Sequence, residues 1–325
     1  MIMKENKGTV CVTGGTGYIA SWLIMRLLEN GYSVNTTIRP HPERKRDMSF
    51  LKNLPGAPEN LHIFEAELSN PESFDEAIQG CIGVFHLAAS IDLGKGESVE
   101  VLTRRSINAV LEILKSCLKS KTVKRVVYTS SQSAVIANGK NVEVMDESFW
   151  SSVDNRQAKQ AYTISKTLTE KAALEFAEEH GLELVTVILP FVVGPFICPQ
   201  FPISVRMILA MVLGDNNYYP MIYNSSMVHI DDVVRAHIFL FEHPDAKGRY
   251  ICSSEKLTLL DMAKLLSAKY PEFPIPSIEY LKEIKGYKMP GLSSKKLLES
   301  GFEFKYGVDE MFDGAIECCK EKGYL

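Results

Sequence analysis

No apolar run in this sequence reaches the ~18 residues that a membrane helix requires, so no membrane span is expected. The opening residues, Met1 to Lys7, lack the apolar stretch of a secretory leader, which points to a cytoplasmic setting. Basic residues are not in excess. Lys and Arg number 36 against 40 Asp and Glu, a formal net charge of −4, so nucleic acid is not an expected partner. The seven cysteines (Cys11, Cys81, Cys117, Cys198, Cys252, Cys318 and Cys319) form no zinc or redox spacing. Reduced thiols and no metal are expected. Internal repeats and low-complexity tracts are absent too. What remains is an ordinary globular composition, 46% hydrophobic and 23% charged over 325 residues, enough for one large or two unequal domains.

Short β-branched strands alternate with amphipathic segments over the first 190 residues. Strands are expected at Thr9–Thr13, Ser33–Ile38, Leu61–Phe64, Gly83–Leu87, Arg125–Thr129 and Glu183–Leu189. Helices are expected at Ser21–Asn30, Met48–Asn53, Ser73–Ile78, Val99–Ser120 and Ala161–His180. This alternation predicts an α/β fold of the doubly wound, Rossmann type. Its sheet is parallel and its binding edge lies at the C-terminal strand ends. After Pro190 the pattern changes to proline-punctuated loops, with helices at Ser204–Leu213, Asp231–Phe241, Leu259–Lys269 and Val308–Glu321. Residues 1–190 are therefore read as a dinucleotide-binding domain. Residues 191–325 are read mostly as a smaller substrate-binding lobe, and strands near Met227–Ile230 and Arg249–Cys252 either return to the main sheet or pair locally.

The stretch Thr13-Gly-Gly-Thr-Gly-Tyr-Ile-Ala20 joins the first strand to the first helix. Glycines there let a pyrophosphate approach the backbone, and the helix N-terminus offers unpaired N–H groups and a positive dipole end. Gly14, Thr16, Gly17, Tyr18 and Ile19 are the candidate contacts, with Ala20 small enough for close helix–strand packing. The second strand ends Thr36-Thr-Ile-Arg39, with no acid to hold a ribose 2′-hydroxyl, and Arg44, Lys45 and Arg46 follow. Arginine suits a 2′-phosphate, so Arg39 and Arg46 favour NADPH/NADP+ over NADH. Glu67, beside Leu68 at the end of the third strand, is placed to accept from an adenine amino group. Ala88 and Ala89 after the fourth strand leave room for the cofactor's sugar. His86 is read as structural.

Tyr162-Thr-Ile-Ser-Lys166 places a phenol and an ammonium one helical turn apart. A nearby cation stabilises a phenolate, so such a pair can pass a proton at neutral pH. Ser131, at the end of Tyr128-Thr-Ser-Ser131, is a hydroxyl on the same edge that can hold a substrate carbonyl; Ser130 is the reserve. Phe196, Phe201, Met207, Met211, Tyr218, Tyr219, Met221, Tyr223 and Met227 give the second lobe a surface suited to a bulky, flat, apolar ligand, although more than half of them are expected to be core.

Several stretches together are familiar: Val12-Thr-Gly-Gly-Thr-Gly-Tyr18, Tyr128-Thr-Ser-Ser131, Tyr162-x-x-x-Lys166, Pro190-Phe-Val-Val-Gly-Pro-Phe196, Val228-His-Ile-Asp-Asp232 and Arg249-Tyr-Ile-Cys-Ser-Ser254. By these the chain resembles, essentially end to end, the extended short-chain dehydrogenase/reductases, and within them the plant dihydroflavonol-reductase-like group. The resemblance implies a Rossmann domain, NADPH and a Ser131–Tyr162–Lys166 triad. It also implies that Tyr162 and Lys166 contact the cofactor and that Pro190 to Val193 line its nicotinamide side. Ile136 stands where true dihydroflavonol reductases carry an asparagine, which speaks against a dihydroflavonol substrate. Gln132 replaces a usually small residue.

The expected activity is hydride transfer from NADPH to the carbonyl of an aromatic plant metabolite, isoflavanone- or flavonoid-like. The rivals are oxidation of an alkaloid alcohol or hemiacetal, a nucleotide-sugar epimerase or dehydratase, and a non-catalytic NADP(H) sensor. Arg206 and His229 are the basic residues available to a sugar diphosphate between 196 and 230. The expected partner is a small aromatic molecule, and the expected state is a monomer or weak dimer.

Overall fold

The computed structural model describes residues 6–40, 47–89, 98–154 and 161–325. Twelve strands are found among them: β1 (Thr9–Thr13), β2 (Ser33–Ile38), β3 (Leu61–Glu65), β4 (Gly83–His86), β5 (Arg125–Ser131), β6 (Val144–Met145), β7 (Glu183–Leu189), β8 (Phe191–Val193), β9 (Asn224–His229), β10 (Gly248–Ile251), β11 (Glu255–Thr258) and β12 (Gly291–Leu292). Seven of these form one parallel sheet in the order β10-β7-β5-β4-β1-β2-β3. The central strands are buried along nearly their whole length, which is why they read as continuous apolar runs rather than as alternation.

Helices cover both faces. On one lie α1 (Tyr18–Glu29) and the long-range partner α8 (Ile230–Glu242), whose Leu23, Ile24, Leu27, Val233, Val234 and Leu240 share a core with Val10, Val12 and Val127. On the other lie α4 (Asp75–Ile78), α5 (Val99–Ser120) and α6 (Ala161–His180), packed with Cys11, Val84 and Val126. The minor helices α2 (Ser49–Lys52) and α3 (Ala57–Asn60) sit between β2 and β3. Ser98 caps α5 by accepting from the Val101 N–H.

A second core gathers α7 (Ile203–Ile208), α9 (Leu259–Lys269), α10 (Ile278–Lys282) and α12 (Val308–Glu321) around the three-stranded sheet β11-β9-β8. The chain after 190 does not stay there. β10 adds to the edge of the main sheet beside β7, and α11 (Lys295–Glu299) packs on β10. The strand near Met227–Ile230 takes the local route: β9 pairs with β8 and β11. Other expectations differ in detail. β5 runs on to Ser131, because its register with β7 continues to the Ser131–Leu189 pair. The helix expected to Leu213 stops at Ile208 and gives way to turns. All seven cysteines are free and buried, and no helix among the described residues is long and apolar enough to cross a membrane.

Candidate active site

Because the seven sheet strands are parallel, their C-terminal ends share one edge. Onto it come Gly14 after β1, Arg39 after β2, Glu67 after β3, Ala88 and Ala89 after β4, Ser131 ending β5 and Pro190 after β7. The glycine loop is held against β2 by hydrogen bonds. The Gly15 N–H donates to the Thr37 carbonyl at 2.8 Å and the Gly14 N–H to Thr37 Oγ1 at 3.1 Å. Gly14 has φ +77°, and a Cβ there would lie 3.1 Å from the Ala88 Cα. A Cβ on Gly15 would lie 2.2 Å from Thr36 Oγ1. The loop thus demands glycine for shape as well as for ligand approach.

Helix α1 opens at Tyr18 with Gly17 as its N-cap, no side-chain cap and no acid in its first turn. Those first N–H groups and the helix dipole fit an anion, so the site suits the pyrophosphate of a dinucleotide. Arg39 is exposed at the end of β2 and pairs with no carboxylate among the described residues, which leaves its fork for a phosphate. Arg46, the other phosphate candidate, lies outside the described residues. Thr16 is half-buried in the loop and Ile19 packs against the main core. The Tyr18 hydroxyl donates to the Gly194 carbonyl at 3.1 Å and its ring meets Phe196 edge-on, which ties the loop to the second lobe. Pro190 and Val193 flank the β7–β8 corner; Val193 is packed into the second core.

A cavity opens between α5, α6 and the ends of β4 and β5. Leu68, His86, Ala88, Ala89, Tyr128, Tyr162 and Lys166 are among its lining residues. Candidate cofactor residues and candidate proton-transfer residues therefore line one cavity. Lys166 reaches back to the sheet, donating from Nζ to the Thr129 carbonyl at 3.4 Å, with the ammonium 5.5 Å from the centre of the Tyr128 ring. Burial alone would lower the Lys166 ammonium, but the acidic neighbours Tyr128, Tyr162 and Glu170 outweigh it and raise it. Ser131 Oγ accepts from the Ser133 N–H at 3.2 Å, so its own proton stays available to an acceptor. Helix α6 packs against the turn Gln132–Ala134 that follows Ser131.

His86 is structural in this arrangement. Thr13 Oγ1 accepts from the N–H groups of Leu87 and Ala88, each at 3.0 Å, and so donates its proton to His86 Nδ1 at 2.9 Å. Burial, with the Lys166 charge nearby, pushes His86 down to about 3, and its ring stacks on Tyr128. Thr13 and Thr37 were not singled out by sequence reasoning, although both are hydroxyls at strand ends flanking the glycine loop. Glu170 and Arg249 were also missed as a pair. Glu170 is one turn beyond Lys166 and buried, accepting from Ser130, Thr186 and Arg249. Among the lobe residues, Phe196, Met207, Met211, Tyr219 and Met227 are core, whereas Phe201, Tyr218, Met221 and Tyr223 retain exposed area.

The fold and this edge define a dinucleotide-dependent enzyme of the Rossmann type. The sequence model of the NAD dependent epimerase/dehydratase family matches residues 10–252, and the chain belongs to that family, the extended short-chain dehydrogenase/reductases. It is 56% identical to vestitone reductase of Medicago sativa over 99% of this chain and 100% of the relative. It is 51% identical to noscapine synthase SDR1 of Papaver somniferum over 99% of this chain and 96% of the relative. The crystal structure of vestitone reductase from alfalfa superposes with a TM-score of 0.89 at 54% identity, covering 98% of this chain and 100% of that one.

Proposed function

We propose that this protein is an NADPH-dependent reductase that reduces the carbonyl of a bulky aromatic plant metabolite, isoflavanone- or flavonoid-like. The observation that carries the reading is the cavity lined by Tyr162, Lys166, Leu68, Ala88 and Ala89 at the C-terminal edge of the sheet. Full-length identity of 56% to vestitone reductase supports the substrate class.

In this reading Gly14, Thr16, Gly17, Tyr18 and Ile19 hold the pyrophosphate, and Arg39 and Arg46 the 2′-phosphate. Glu67 and Leu68 hold the adenine end, and Ala88, Ala89, Pro190 and Val193 border the sugars and nicotinamide. When bound, the dinucleotide supplies the hydride. Ser131 donates a hydrogen bond to the substrate carbonyl and fixes its angle. Tyr162 protonates the oxygen as it gains charge, and Lys166 favours the phenolate left behind. Residues 1–190 form the cofactor domain. The chain after 191, apart from its contributions to the main sheet, supplies the apolar wall for the substrate.

A second reading, favoured by the 51% identity to noscapine synthase SDR1, is the reverse transfer: oxidation of an alkaloid alcohol or hemiacetal by the same residues. The test is a panel of isoflavanones, dihydroflavonols, aromatic aldehydes and alkaloid hemiacetals, run with both cofactors in both directions, for wild type and Tyr162→Phe. Tyr162→Phe should lose on the order of a hundredfold in turnover while NADPH affinity stays within about threefold. Unchanged turnover in that variant would overturn the mechanism.

A further inference from the structure

We propose that the buried Glu170–Arg249 ion pair is a positioning element that holds the elements bearing Ser131, Tyr162 and Lys166 in one reactive arrangement. The proposal rests on the Ser–Tyr–Lys reading above and adds to it two residues that do not line the cavity.

The pair sits directly behind the reactive edge. Glu170 is completely buried on α6, one turn after Lys166 and two after Tyr162, and the Arg249 side chain on β10 is 8% exposed. Every strong acceptor position of the carboxylate is used. Oε2 accepts from Ser130 Oγ at 2.7 Å, and Ser130 is the immediate neighbour of Ser131. Oε1 accepts from Thr186 Oγ1 at 2.6 Å and from Arg249 Nε at 3.0 Å. One carboxylate therefore joins α6, β5, β7 and β10.

The guanidinium extends the junction to the segment behind the turn after Ser131. Arg249 donates from one nitrogen to the Glu147 carbonyl at 2.6 Å and the Phe149 carbonyl at 2.7 Å, and it lies 3.4 Å from the centre of the Trp150 ring. Glu147 returns the contact by accepting from the Ile251 N–H at 2.8 Å. The next residue along, Ser151, donates its N–H to the Ala134 carbonyl and accepts the Ala137 N–H at Oγ, each at 2.9 Å. Ala134 and Ala137 belong to the loop that leaves Ser131. The same cation thus grips the helix of Tyr162 and Lys166 and the backing of the Ser131 loop.

Stability does not require such a pair. Two buried charges give up so much hydration that apolar replacements are often as stable. A planar fork with fixed hydrogen-bond directions does, however, fix geometry in a way that an apolar contact cannot. Glu170 also contributes charge to the reactive cluster. The groups facing Lys166 are Tyr128 on β5, His86 on β4, and Tyr162 and Glu170 on its own helix; Arg249 faces Glu170 from β10, with Lys296 donating to the Arg249 carbonyl and Lys171 over the Trp150 ring. Neutralising Glu170 removes an anion that favours the Lys166 ammonium. The alkaline limb of the rate profile should then move to lower pH.

The experiment compares wild type, Tyr162→Phe, Glu170→Gln, Arg249→Lys and the neutral double variant Glu170→Gln/Arg249→Met. Vestitone is the probe, and Tm, NADPH affinity and the pH dependence of kcat are measured. In the double variant Tm should stay near wild type and NADPH affinity within about threefold. Its kcat should fall on the order of tenfold to a hundredfold, the cost of a small misplacement of reacting groups, while the alkaline limb of Glu170→Gln, which loses the anion and keeps the Arg249 cation, should shift acidward. If the double variant does not fold, Arg249→Lys decides, because it keeps the charge and loses the fork: the same fall in kcat at held NADPH affinity is expected. A kcat within threefold of wild type in the deciding variant overturns the proposal. So does a fall in which NADPH affinity drops in parallel, or an alkaline limb that stays in place in Glu170→Gln. Tyr162→Phe separates the failures. If it remains active, the triad reading and this proposal both fail. If it is inactive while the deciding variant is active, only the ion-pair proposal fails.

Discussion

Trp22 donates its indole N–H to Asp231 Oδ1 at 2.9 Å, across 209 residues of chain. Arg26 donates to the same oxygen from Nε at 2.6 Å. Helix α1, which follows the glycine loop, is thereby fastened to α8. Burial alone would raise the Asp231 carboxyl. Hydrogen bonds from Trp22 and Arg26, with the Arg26 charge, outweigh burial and hold it below the ordinary carboxylate range.

For a carboxyl depressed in this way, the stabilisation is fully present above its unfolded value, about 4, and is lost as pH falls through the lower folded value. Asp231→Asn should therefore cost about 1–2 kcal/mol at pH 7, after allowing for the partly exposed Arg26. The deficit should persist down to about pH 4 and shrink below it. Urea unfolding across this range checks the sign; a deficit that grows as pH falls below 4 contradicts the assignment.

His86 shares the preference for the deprotonated form, but for a different reason: it is held neutral by burial rather than charged by a partner. Its folded value is pushed down to about 3 by burial and by Lys166, against an ordinary value near 6.5. Between these limits the unfolded chain binds a proton that the folded one refuses, so stability declines as pH falls from about 6.5. His86→Gln should remove one proton from that dependence, about 1.4 kcal/mol per pH unit. Unfolding free energies of the variant and wild type at pH 7 and pH 5 measure it, and parallel slopes would show that the histidine is not held neutral.

At Gly15 the constraint is a collision rather than a backbone angle. The nearest obstacle, Thr36 Oγ1, is fixed by its own hydrogen bond to the Val12 carbonyl at 2.8 Å and cannot swing aside freely. Gly15→Ala should cost about 1–3 kcal/mol, the usual range for overpacking. Adding Thr36→Ala should recover part of that loss. Thermal denaturation of both single variants and the double gives the coupling, and strict additivity would mean that the two sites do not clash.

Arg39→Ala tests cofactor choice. The side chain is exposed and pairs with no carboxylate among the described residues, so its removal should leave the fold intact. NADPH affinity should fall about tenfold, the loss of a charge-assisted hydrogen bond, with NADH affinity unchanged. Fluorescence titration with both cofactors reads the difference. Equal losses for the two would assign Arg39 to a site other than the 2′-phosphate.

Much of this molecule was legible because its information is local. Thr9–Thr13, Ser33–Ile38 and Glu183–Leu189 stand out as strands from short runs rich in β-branched residues, and Val99–Ser120 as a helix from its periodicity. The glycine loop, the Tyr162–Lys166 spacing and the polar end of β5 are legible for the same reason. Each is a pattern within a few residues. Helix α1 began earlier than expected, at Tyr18 rather than Ser21, because an aromatic residue after a glycine does not resemble a helix start until its ring is seen anchored on Gly194 and Phe196.

By itself, then, the sequence determined the alternation of elements, the parallel sheet, the edge that would bind a ligand and the residues on it able to hold a phosphate or move a proton. Tertiary structure alone decided that β10 returns to the main sheet while β9 does not, that Asp231 secures α1, and that Glu170 meets Arg249 across 79 residues. The reason is physical. Hydrophobic periodicity records which face of an element is buried and is set by near neighbours. The partner of a buried charge, or the strand beside an edge, is chosen by which distant surfaces close on it, and composition along the chain carries no trace of that choice.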